Sequence, residues 1–119
     1  MTGGSNPVLA CIFSHEGSLP LRSFADTSGA FWFLAMDAFP LMHCANSASA
    51  MTRFDPTDRK QIGPDNPYGV HPQTRVMSER ALCQLVMRSR KAQAAPQAQW
   101  VMQHVLPTVA ALRLTSRKP

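Results

Sequence analysis

Three short, mainly apolar stretches near the start of the chain, at 8–14, 19–25 and 30–34, are set apart by turn-like polar clusters, and this pattern predicts three β-strands. Glu16-Gly17-Ser18 and Asp26-Thr27-Ser28-Gly29 lie between them and have hairpin-loop length, so the strands are expected to form an antiparallel meander. In the third stretch Phe31 and Phe33 fall on one face and Trp32 on the other.

The period then changes to that of helices. Asp37 reads as the N-cap of a helix with Pro40 in its first turn and Ala38, Leu41 and Met42 on its apolar face. Asn46 reads as a second cap, opening a short helix over 47–54 with Ala50, Met51 and Phe54 inward. This pair has the outline of a helix-turn-helix, an outline any small helical hairpin shares. Residues 55–73 contain Pro56, Pro64, Pro67, Pro72, Gly63 and Gly69 and read as a long irregular excursion, followed by a last strand near 74–77.

Ser78 is the expected cap of the next helix, with Glu79 beside its N-terminus and Ala81, Leu82, Leu85 and Val86 forming an i, i+3, i+4 stripe. Arg80, Gln84 and Arg88 recur at four-residue spacing on another face. A further helix is predicted over 94–105, with Pro96 in its first turn and Ala98, Val101, Met102 and Val105 on one side. Pro107 should interrupt it and begin a last short helix bearing Val109 and Leu112. The predicted fold class is α+β, a small antiparallel sheet packed with four to five short helices in a single domain. The expected layout is a flexible lead over 1–7, the domain over 8–113 and a basic tail over 114–119.

Composition narrows the class. A chain of 119 residues, 45% hydrophobic and 16% charged, can bury a core and is unlike a disordered segment. Its charge is unevenly placed: residues 1–79 carry all seven acids against five bases, whereas 80–119 carry seven bases and no acid. Such asymmetry fits a polyanion-facing side or, equally, a soluble protein with a basic end. Cys11, Cys44 and Cys83 are odd in number and far apart, so no disulfide framework is expected. The start of the chain has no basic n-region, and the apolar run at 8–13 is too short for a signal or a membrane span. A reducing cytoplasm is the expected setting.

Catalytic chemistry finds little support. The histidines and cysteines show neither C-x-x-C nor H-x-x-x-H spacing, so no metal is expected. Cys44 and His43 are sequence neighbours, which do not face each other on a helix. No phosphate-binding loop, dinucleotide fingerprint or nucleophile elbow is present. No enzyme activity and no cofactor are expected.

Two segments together resemble a known family. "FWFLAMDAFPLMHCANSASAMTRFD" at 31–55 is similar to the opening motif of the Bro-N domain, the N-terminal domain of baculovirus BRO proteins and of many phage and prophage antirepressors. "VMSERALCQLVMRSRKAQA" with "WVMQHVLPTV", within 76–109, is similar to its closing motif; Ser78-Glu79, Leu82, Leu85, Arg88-Ser89-Arg90-Lys91, Ala94, Trp100-Val101 and Val105-Leu106-Pro107 fall in register. The chain departs from the opening motif at Met36, Cys44, Ser47-Ala48-Ser49 and Thr52, which removes several basic side chains and leaves Arg53. In the closing motif, Ala81 and Cys83 replace a glycine and a tyrosine. The second motif ends near the last residue, so no C-terminal effector module is expected.

The resemblance implies a DNA-binding regulatory domain with double-stranded DNA as its partner. It places the work in the cytoplasm of a bacterial host, or in the nucleus for a eukaryotic virus. A module that binds a repressor or another regulator without touching DNA is the alternative, to which the lost basic residues of the first motif lend weight. No membrane partner is expected, and a homodimer fits either reading. Arg88, Arg90 and Lys91 are candidate phosphate contacts; the same cations at a helix end could do no more than stabilise its dipole. Arg80 is a candidate on the same helix. Arg53 could reach a phosphate or base edge, or pair with Asp55 or Asp58. Trp100 could stack on a base, but its apolar neighbours at helical spacing point to a place in the core.

Overall fold

A computed structural model of the chain describes residues 9–17, 19–44, 47–89 and 92–116. Its strands are β1 (Leu9–Phe13), β2 (Leu21–Ala25), β3 (Phe31–Leu34), β4 (Arg59–Gln61) and β5 (Arg75–Ser78). The helices are α1 (Ala35–Leu41), α2 (Ser47–Thr52), α3 (Glu79–Arg88), α4 (Ala95–Trp100) and α5 (Leu106–Ser116). The predicted lead at 1–7, the cap residue Asn46, and Arg90, Lys91, Arg117 and Lys118 lie outside the described residues.

All strand pairs are antiparallel, in the order β1-β2-β3-β5-β4. The first three form the predicted meander, and the α+β class is as expected. Alternation along the strands then divides the sheet into two apolar faces. Leu21, Phe31, Phe33 and Met77 meet the helices, whose inner residues include Phe39, Met51, Leu82, Val101, Val105 and Val109. Each of these larger side chains contributes about 1.5–3 kcal/mol through burial. The stripe Ala81, Leu82, Leu85 and Val86 is buried as its spacing predicts.

Phe24, Trp32, Leu34 and Val76 occupy the other face, under Ile62, Tyr68 and Val70. The segment between β4 and β5 is thus a third layer, and hydrogen bonds set its shape. The Asn66 side chain donates to the carbonyls of Gly63 and Val70 at 2.9 and 2.8 Å and accepts from the N–H groups of Tyr68 and Val70 at 3.1 Å. The Tyr68 hydroxyl donates to the Ser23 carbonyl at 2.6 Å, pinning the segment to β2.

Three expectations require correction. Asp37 is not a cap: α1 begins at Ala35, its N-cap position is Leu34 without a side-chain hydrogen bond, and Pro40 lies inside the helix. Its carboxylate instead accepts from Arg22, fifteen residues upstream. The excursion at 55–73 is not wholly irregular, because it contains a 3-10 turn, Pro56–Asp58, and the edge strand β4. The last helix bearing Val109 and Leu112 is present as α5, with Pro107 in its first turn, but Pro107 does not interrupt the helical course that precedes it. In a regular helix it lacks an N–H and crowds the carbonyl four residues back. Here Val101–Val105 forms a wider π turn, in which the Leu106 N–H reaches the Val101 carbonyl, and the helix passes the proline. The changed register turns Met102 outward, 45% exposed.

Candidate nucleic-acid interface

Helix α3 is positioned by a relay that starts outside it. The Ser78 hydroxyl accepts from the Ala81 N–H at 3.0 Å, satisfying a free donor of the first turn, and donates to Asp58 Oδ1 at 2.8 Å. Asp58 is buried, so the 3-10 turn and the start of α3 are held as one unit. Asp55 shapes the same turn by accepting from the Thr57 N–H at 2.9 Å and its hydroxyl at 2.7 Å. The Thr57 hydroxyl, then its N–H, hold the Asp55 carboxyl below its usual range, and the nearby Arg80 and Arg59 add attraction.

Each candidate cation now has a position. Arg80, 71% exposed, projects from the first turn of α3 with Nε 3.7 Å from Asp58 Oδ2, so part of its charge is offset. Arg88 closes the helix and is exposed, about 12 Å along the axis from Arg80 at 1.5 Å per residue. Arg53 follows α2 and is exposed. Among the described residues neither Arg53 nor Arg88 makes an ion pair with a carboxylate. Asp55 and Asp58, considered as partners for Arg53, take Thr57 and Ser78 instead. Arg90 and Lys91 lie outside the described residues.

Charge counted along the sequence overstates the accessible charge. Arg113 belongs to the basic end, yet its Nη2 is 3.3 Å from Glu79 Oε2. It holds α5 to the start of α3. The aromatic candidates are likewise committed within the protein. Trp100 is half-buried against the main core, with its ring centroid 5.0 Å from that of His15. The Trp32 indole donates to Asp26 Oδ2 at 2.9 Å, and Lys60 Nζ lies 4.3 Å above the ring. On α2 the Thr52 hydroxyl donates back to the Ser49 carbonyl at 2.6 Å.

Arg59 and Arg75 were not among the candidates. Both flank the pairing of β4 with β5, where Arg59 is opposite Met77, and Gln61 opposite Arg75. Met77 lies in the helix-side core, so all three polar residues share that face. Arg59 Nε donates to the Phe54 carbonyl at 3.1 Å, and Arg75 is exposed. The signal that could have found them is the short run Arg59-Lys60-Gln61 read as an edge strand, since charged residues, lysine above all, are common on sheet edges.

Among the described residues, no three His, Cys, Asp or Glu side chains converge in a geometry that could hold a metal ion. No helix among them is long and apolar enough to cross a membrane.

The fold is that of a small α+β domain with Arg53, Arg80 and Arg88 exposed on its surface. The sequence profile of the BRO family N-terminal domain, Bro-N, matches residues 20–107, and the chain belongs to that family. The family is one of regulatory, DNA-binding domains of antirepressor type. An uncharacterised protein of Haemophilus influenzae is 30% identical over 95 residues, which cover 76% of this chain and 45% of that protein. The chain therefore spans less than half the length of this relative. No solved structure matches the chain significantly.

Proposed function

We propose that this domain docks on duplex DNA through the phosphate backbone, using the outer face and C-terminal end of α3, with α2 and Arg53 beside a groove. Arg80 and Arg88 supply the described contacts, and Arg90 and Lys91 continue the run beyond the helix. The observation that carries this reading is the exposed Arg88 at the end of α3, without a carboxylate partner among the described residues and separated only by Ser89 from two further bases. Family membership supplies the partner class. Phosphate contacts of this kind fix orientation and give salt-dependent affinity without reading sequence. The work then takes place where the target DNA lies, in the cytoplasm of a bacterial host or in the nucleus for a eukaryotic virus.

The test is fluorescence anisotropy with a mixed-sequence duplex over a salt series, comparing the natural chain with Arg88→Ala/Arg90→Ala/Lys91→Ala. Loss of about three contacts should lower the slope of log affinity against log salt by roughly 2.7. Equal slopes for the two proteins would remove this helix end from the interface. Absence of binding at low salt would end the DNA reading and direct attention to a protein partner, such as a repressor.

A further inference from the structure

We infer that the recess between α2 and the β4–β5 edge is a second phosphate-binding point on the same duplex, with Arg75 and Arg59 as its cations. This rests on the DNA-docking reading and extends it from one helix end to two separated anchors.

The recess has a volume of about 200 Å³ and is lined by Met51 of α2 together with Arg59, Lys60, Gln61 and Arg75. None of its lining residues is acidic. Arg59 and Arg75 lie on one face at diagonal positions of the β4–β5 ladder, where neighbouring residues stand about 7–8 Å apart. Two like charges at that spacing repel each other, and an anion between them reverses the sign of the interaction. Arg59 is held by its Nε bond to Phe54, which leaves its terminal nitrogens as further donors. Arg75 is exposed and, among the described residues, makes no ion pair. Gln61 adds a neutral donor on the same face.

The occupant follows from the neighbours. A backbone phosphate needs cationic donors and a route in from solvent, and the recess supplies both. Residues Ala48, Ser49, Thr52 and Arg53 of the adjoining α2 segment are also exposed. The small side chains of Ala48, Ser49 and Thr52 allow close approach to a nucleic-acid surface, and Arg53 adds a cation beside them. Arg59 and Arg75 thereby supply positive charge beside a helix that has no basic residue of its own and is followed by Arg53.

Duplex-binding salt slopes of Arg75→Gln, Arg75→Lys, Arg88→Gln and Arg113→Gln test the inference, with circular dichroism confirming that each variant is folded. Arg75→Gln is expected to lose about 0.9 of slope, and Arg75→Lys to retain it. Arg113→Gln is the charge-matched control, because Arg113 is engaged with Glu79. If Arg75→Gln matches Arg113→Gln while Arg88→Gln loses slope, the recess is not an anchor and docking through α3 stands. If Arg75→Gln loses slope and Arg88→Gln does not, the recess stands and the α3 end fails. A natural chain that binds no duplex overturns both.

Discussion

Asp37 closes the end of the β2–β3 ladder by accepting three hydrogen bonds from Arg22. One comes from its backbone N–H at 2.9 Å, one from Nε at 2.8 Å and one from Nη2 at 2.9 Å. Beyond Leu34 the chain turns away into α1, which leaves the Arg22 N–H without a strand partner; Asp37 takes that place. The side-chain hydrogen bond to Asp37 is the main cause of the raised Arg22 pKa, so the guanidinium remains charged at any ordinary pH.

Asp37→Ala strips the acceptor from all three donors. Breaking a fully buried pair costs about 3–5 kcal/mol. The Arg22 side chain is 25% exposed, so solvent recovers part of the loss, and a cost of about 2 kcal/mol is expected. Urea denaturation of the two proteins measures it. A difference below about 0.5 kcal/mol would show that the ladder end needs no closure.

Ser78 joins the α3 cap to buried Asp58, and Ser78→Ala removes both links. Loss of a cap costs about 1 kcal/mol, and an Asp58 oxygen is left without its donor, so about 2 kcal/mol is expected in all. Hydrogen exchange at the amides of Ala81 and Leu82 should accelerate more than at Val109, which lies on another helix. Uniform acceleration would mean that the serine acts on global stability and not on the start of α3.

Asp26 makes stability depend on acid. Burial would raise its pKa, but hydrogen bonds from the Ser28 hydroxyl, the Trp32 indole and the N–H groups of Ala30 and Ser28 together hold it below the ordinary 3.8. The folded protein therefore favours the carboxylate more than the unfolded chain does. This contribution is complete above the unfolded pKa of about 3.9 and is lost as pH falls through the lower folded value. The stability gap between the natural chain and Asp26→Asn should be constant from about pH 5 to 8 and narrow below about pH 4. A gap that widens on acidification would contradict this assignment.

What was legible in the sequence depended on whether its cause was local. The meander followed from turn clusters between short apolar stretches, the two faces of β3 and the α3 stripe from periods of 2 and 3.6, and Ser78 from the cap chemistry of its own first turn. Asp37 was misread because its partner lies on another strand, and no local pattern connects residues 22 and 37. β4 was missed because Arg59-Lys60-Gln61 has no apolar alternation; pairing with β5 makes it a strand. Pro107 is a reliable breaker only when the turn before it is regular. At the interface, Arg88 could be placed at its helix end from spacing. The recess could not, since Arg59 and Arg75 are brought together by a ladder that the local pattern did not reveal.

The position of β5 has a kinetic meaning. Among the described residues it is the last strand in sequence, yet it lies inside the sheet, between β3 and β4. Among the described residues β4 has no other strand neighbour, so it joins the sheet only once residues 75–78 have been synthesised and inserted. Until then Phe31 and Phe33 lack their cover from Met77 and α3, and the nascent meander is open to association with other chains. Closing so long a loop is slow compared with forming the hairpins that precede it. The cationic recess needs Met51 of α2 as well as the β4–β5 pair, so it forms only when that pair has docked on the helices, and binding at this point would report tertiary assembly and not mere helix content.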